Sequence, residues 1–138
     1  MNAIQIDKIV KEQNKITCFY TIKGAWEKYF TKMREKCIEY SVDISQVPDS
    51  ICVIPFIGNV LPLVWLLDAE LLVDTIDKEF YEHLPEIRKG YQEMYPMFEF
   101  KGNVKAKQIE EKTKDMKRFL SILLIAAAVF GVYADILN

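Results

Sequence analysis

Apolar and polar residues roughly alternate over Ala3–Val10 (AIQIDKIV), and beyond the polar break KEQN the segment Lys15–Lys23 (KITCFYTIK) is rich in β-branched and aromatic residues. Two such runs around a short break predict a β-hairpin. The next stretch, GAWEKYFTKMREK, sets Trp26, Tyr29, Phe30 and Met33 at helical spacing and predicts a short helix or turn. In CIEYSVDI (Cys37–Ile44) the period returns to two, with Ile38, Tyr40, Val42 and Ile44 on one face. The first third therefore reads as a small sheet carrying a short helical insertion.

QVPDS is a breaker, and Asp49 or Ser50 has the chemistry of a helix cap. Beyond it ICVIPFIGNVLPLVWLL runs 17 residues without a charge, interrupted by Pro55, Gly58, Asn59 and Pro62. A membrane-spanning helix takes about 20 residues, so the breakers predict two short buried helices instead. AELLVDTID has room for a brief strand before Asp77, which is suited to cap KEFYEHL; Pro85 then opens a further helical turn through EIRKGYQEMY, ending near Pro96. Phe80, Leu84 and Ile87 form a helical stripe expected in the core. MFEFKGNVKAKQIEEK alternates around KGN and predicts another strand or hairpin. The sum is an α+β chain: a small antiparallel sheet, several short helices and a hydrophobic C-terminal element, without an internal repeat.

Composition makes a folded domain the expectation, since 51% of the 138 residues are apolar and 12% aromatic. The formal charge of −2 hides an uneven distribution. Residues 101–118 hold seven basic and three acidic side chains, whereas none of the residues between Cys37 and Asp77 is Lys or Arg. A nucleic-acid binder carries a larger basic excess, so no nucleic-acid partner is expected. Cys18, Cys37 and Cys52 are 19 and 15 residues apart and His83 is the single histidine, which argues against zinc. Three cysteines behind an N-terminus without an export pattern fit a reducing, cytoplasmic setting.

Catalytic signatures are missing: there is no G-x-S-x-G, H-E-x-x-H, G-x-G-x-x-G or Walker loop. The acidic run DAELLVDTIDKE offers oxygen ligands at Asp68, Glu70, Asp74, Asp77 and Glu79, but not the glycine and spacing of an EF-hand. His83 has no positioned partner for acid–base work. Tyr91, Tyr95, Phe98 and Phe100 beside the Lys101–Lys107 cluster are read as core rather than as a base-stacking platform.

The segments IPF, NVLP, W--DAE, DKEFYE, KGY--MYP and F-G within Val47–Gly102, preceded by EYSVDIS, resemble the N-terminal region of an uncharacterised bacterial group of PP-loop proteins. That group is related to the ATP-pyrophosphatase fold of 7-cyano-7-deazaguanine synthase and a muropeptide epimerase. The resemblance implies an α+β region over residues 1–111 and, in 112–138, a basic segment plus apolar tail that corresponds to the start of a nucleotide-binding lobe. It makes Asn59, Trp65, Asp68, Asp77 and Tyr81 the substrate-binding candidates. A loop resembling SGGVD is expected near the C-terminus, where small residues admit phosphate to backbone amides. This chain carries Ala126, Ala127, Ala128, Val129 and Phe130 there instead. Serine, glycines and acid are absent together, so ATP and Mg are expected only if a partner supplies the missing lobe. The expectation is a truncated or divergent, non-catalytic recognition or interaction module.

The tail admits a competing reading. Phe119–Ala134 is uncharged and follows Lys112, Lys114, Lys117 and Arg118, the layout of a C-terminal membrane anchor through 119–137. Sixteen helical residues reach roughly 24 Å at about 1.5 Å each, short of a hydrocarbon core near 30 Å, and Asp135 falls at the far side. A soluble protein would instead pack the tail, as a helix or strand, against ICVIPFIGNVLPLVWLL, or bury it in self-association, at a gain on the order of 1.5–3 kcal/mol per side chain.

Overall fold

The computed structural model describes residues 1–111. The expectations for 112–138, whether lobe remnant, anchor or self-association element, lie outside the described residues. The predicted hairpin is present: β1 (Ala3–Lys11) pairs antiparallel with β2 (Lys15–Lys23), from Ala3 opposite Lys23 to Lys11 opposite Ile16. A bulge between Ile6 and Lys8 lets the chain keep Ile4, Ile6 and then Ile9 on the inner face. β3 (Glu35–Glu39) lines the outer edge of β2, antiparallel.

The remaining pairs run the other way. β4 (Glu70–Asp77) joins the free edge of β1 in parallel, and β5 (Asn103–Glu110) joins β4 in parallel, giving the order β3-β2-β1-β4-β5. The class is α+β as expected, but the sheet is mixed rather than antiparallel. Helical connections carry the chain back along its own length before each of these strands starts, and a parallel pair results.

The connections are α1 (Asp49–Cys52), α2 (Ile54–Leu66) and α3 (Lys78–Met94). Their apolar sides meet Ile4, Ile6, Ile16, Cys18, Ile22, Leu71 and Val73 in one core. The opposite sheet face is polar, with ion pairs Lys105–Glu70 (2.6 Å) and Lys107–Asp74 (3.1 Å) between neighbouring strands. A single covered face explains the period-two patterning.

The charge-free run is helical and buried, but not as two short helices: Ile51 and Cys52 end α1, and after Val53 the rest forms one helix, α2, with Pro62 inside it. No helix among the described residues is long and apolar enough to cross a membrane. Asp77 caps α3 by accepting from the Phe80 amide at 3.0 Å, and Pro85 lies within that one continuous helix rather than opening a second. Pro48, not Asp49 or Ser50, precedes α1. The predicted helix over the Trp26 region is a 3-10 turn, Ala25–Tyr29, and the third strand starts and ends earlier than its alternation suggests. Ile44 is nonetheless buried, tied by its amide to Gln13 O at 2.8 Å.

The parallel strands define two ends. At the leading end, where β1, β4 and β5 begin, stand Asn2, Gly24, the α2–β4 connection and the α3–β5 loop, joined by Glu70 N to Asn2 O (3.0 Å) and Asn103 N to Ala69 O (3.0 Å). At the trailing end lie the β1–β2 turn, α1 and the start of α3; Lys11 meets Asp49 there at 3.1 Å.

Candidate functional site

The helix layer does not cover the sheet evenly. Next to α2, over β1 and β2, a groove of about 580 Å³ remains open. Its floor is Ile4, Ile6, Cys18 and Tyr20, alternate residues of two neighbouring strands. One wall is Phe56, Asn59, Val60 and Leu63, spaced at three and four residues so that α2 presents them on one face. The other wall is the arm between the 3-10 turn and β3, with Tyr29, Phe30, Thr31 and Met33, and then Glu35 and Lys36 of β3.

Local contacts hold that arm in place. Trp26 is buried and its indole N–H donates to Lys23 O (2.8 Å) and Ala3 O (3.2 Å), while Phe30 packs edge-on against it at 5.0 Å. Gly24 makes the preceding corner at φ 102, where a Cβ would stand 2.4 Å from Asn2 Oδ1. Farther on, the Tyr20 hydroxyl donates to Met33 O at 3.2 Å, and Arg34 pairs with Glu27 at 2.9 Å and donates to Thr31 O. The groove lining thus mixes apolar side chains with polar groups, among them Asn59, Thr31 and Glu35, that can orient a ligand.

Cys18 on the floor is no nucleophile at neutral pH: burial, reinforced by Asp7, pushes its thiol up to about 12. Burial likewise raises Cys52 to about 11 and Tyr40 to about 12. His83 is fully exposed on α3; its Nδ1 lies 2.6 Å from Glu79 O, which holds its pKa above the ordinary value. Among the described residues no group of three or more His, Cys, Asp or Glu is placed to hold a metal ion.

The five candidates from the sequence stand in different surroundings. Asn59 lines the groove. Trp65 is 1% exposed and sits in a junction of α2, α3 and the start of β5: Tyr91 meets it edge-on at 6.0 Å, Arg88 lies over its ring at 5.4 Å, and its carbonyl accepts from Lys101 N at 2.7 Å. Asp68 belongs to the same junction, accepting from Gly102 N at 3.0 Å, while Arg88 donates to Gly102 O at 2.7 Å. Asp77 is the cap of α3, and Tyr81 is half-buried against the core. The structure thus places one of the five on the groove.

The groove residues that the sequence reading left out are Phe56, Val60 and Leu63, together with Tyr20, Tyr29, Phe30 and Met33. Their spacing was visible, but an apolar face waiting for a ligand and one packed in a core have the same pattern. Comparison with protein families, with curated proteins and with solved structures found no match to this chain.

Proposed function

We propose that the described domain is a non-catalytic recognition module whose binding face is the groove between α2 and the arm. The observation that carries this reading is the groove itself: a volume of about 580 Å³ falls within the range of small-ligand sites, roughly 300–1,000 Å³, and apolar walls with a few polar groups are their usual lining. A compact aromatic or branched apolar group fits this chemistry, oriented by a carbonyl toward Asn59. In the resemblance to PP-loop N-terminal regions, such a face presents substrate to, or docks against, a nucleotide lobe; ATP and Mg then belong to that lobe and not to this domain.

The test is a titration of methyl-labelled protein with N-acetyl-tryptophanamide, followed by NMR. Shifts concentrated at Ile4, Ile6, Val60 and Leu63 are the expected result, and shifts confined to other methyls would refute the groove. A parallel assay bears on the catalytic side. ATP hydrolysis is expected to stay at the buffer rate with the purified chain, and turnover that scales with protein and survives repurification would sink the non-catalytic reading.

A further inference from the structure

The large apolar side chains exposed among the described residues are unevenly distributed: all but Val10, Val42 and Ile109 stand at the leading end. Met94, Tyr95, Met97 and Phe98 crowd the α3–β5 loop with exposures of 45–71%, and Tyr29 and Met33 of the arm are 62% exposed. Such residues scattered singly are ordinary, but a concentration at one end marks an interaction surface.

Charge is divided between the same two ends. At the leading end Glu27 and Glu99 are neutralised by Arg34 (2.9 Å) and Lys101 (3.0 Å), and the Asp68 carboxylate is tied to a backbone amide. Glu93 is left against Lys23, Lys28 and Lys32, all exposed and none in an ion pair among the described residues; Lys28 lies 5.3 Å from the Tyr29 ring centre. At the trailing end Glu12 and Asp49 are likewise paired, with Lys15 (3.2 Å) and Lys11 (3.1 Å), and the remaining balance is acidic, with Asp43, Glu82, Glu110 and Glu111 against Lys78. Apolar and tyrosine side chains set among lysines, with acids at the far end, match an anionic bilayer surface. Rings and thioethers enter the headgroup boundary while ammonium groups meet lipid phosphate.

We propose that the leading end docks on anionic membrane surfaces, with the α3–β5 loop and the arm at the interface. The inference is independent of what fills the groove, although Tyr29 and Met33 line both.

The experiment uses the full chain with Cys37, the exposed cysteine among the described residues, replaced by serine. An environment-sensitive fluorophore is attached at Met97→Cys or, as the opposite-end control, at Val10→Cys. With vesicles of equal phosphatidylcholine and phosphatidylglycerol, a blue shift is expected at position 97 and none at position 10, with little response to phosphatidylcholine alone. The Lys28→Glu/Lys32→Glu variant is expected to weaken vesicle binding by about 20-fold or more, counting at least about 1 kcal/mol for each lysine at the surface. No shift at position 97, as for a leading end that serves a protein partner, overturns the proposal. So does a shift at position 10 that equals or exceeds the one at 97, or unchanged affinity in the charge-reversed variant.

Discussion

The two halves of the sheet are finished differently. On the β4–β5 side, α3 and the end of α2 close over the strands, and the Trp65 junction ties three elements with an aromatic contact, a cation over a ring and three hydrogen bonds. On the β2–β3 side no helix among the described residues lies over the outer strands, and a short arm leaves the groove beside α2. In the proposed function, stability falls to the first half and recognition to the second. Residues of the junction are committed to one another, whereas the groove lining retains surface to offer.

Trp65→Ala is expected to have the largest effect on this contrast, about 3–5 kcal/mol of stability, because a fully buried ring is removed from between α2 and α3. Urea denaturation measures it, and a loss below about 1 kcal/mol would mean that the junction does not hold the fold. Gly102→Ala comes next, at about 2–4 kcal/mol. The position has φ 72, and a Cβ there would lie 2.4 Å from Val64 O and 2.8 Å from Ala69 O, both backbone atoms of the neighbouring connection. A melting temperature unchanged by this substitution would show that the connection yields freely.

Alkaline pH tests three buried or half-buried groups, of which Cys18 forms part of the groove floor. Cys18, Cys52 and Tyr40 are raised to about 12, 11 and 12 from ordinary values of 9.0, 9.0 and 10.0, chiefly by burial. Below about pH 8 these groups are largely neutral in both folded and unfolded chains and their burial is undisturbed. As pH rises above that, the unfolded chain ionises first, and stability falls until the folded pKa values are passed, by up to about 1.4 kcal/mol per pH unit for each group. Denaturation midpoints between pH 8 and 11 should therefore decline, and Cys18→Val/Cys52→Ala should flatten the decline. An equal slope in the double variant would place the alkaline lability elsewhere. The smallest expected effect is that of Met33→Ser, within about 0.5 kcal/mol for an exposed side chain, with several-fold weaker binding of N-acetyl-tryptophanamide. A large stability loss without loss of binding would reverse the assignment of roles.

Much of the fold was legible where burial is one-sided. Alternation marked β1 and β2, and Asp77 before KEFYEHL marked the start of α3, since a carboxylate is well suited to satisfy the first free amides of a helix. Parallel pairing was not legible, because side-chain period is the same in either orientation and direction depends on how the connections return. Pro62 and Pro85 were overweighted for a related reason: the packing of α2 and α3 against the sheet maintains helices that the isolated residues disfavour. The candidate site was less visible. Of the candidates that the family resemblance supplied, Asn59 lines the groove, whereas Trp65 and Asp68 stand in the junction and Asp77 at the cap of α3.

What the amino-acid sequence determined by itself is the α+β class, the hairpin, the buried character of ICVIPFIGNVLPLVWLL and the cap at Asp77, all consequences of neighbouring residues and one period of patterning. The tertiary structure alone decided the strand order β3-β2-β1-β4-β5, the sharing of α2 between a closed junction and an open groove, and the gathering of exposed apolar residues and lysines at one end. Those depend on which distant segments meet: Asn2 with Glu70, Asp68 with Gly102, Tyr20 with Met33. Patterning states that a side chain will be covered, and only the packed chain decides by what.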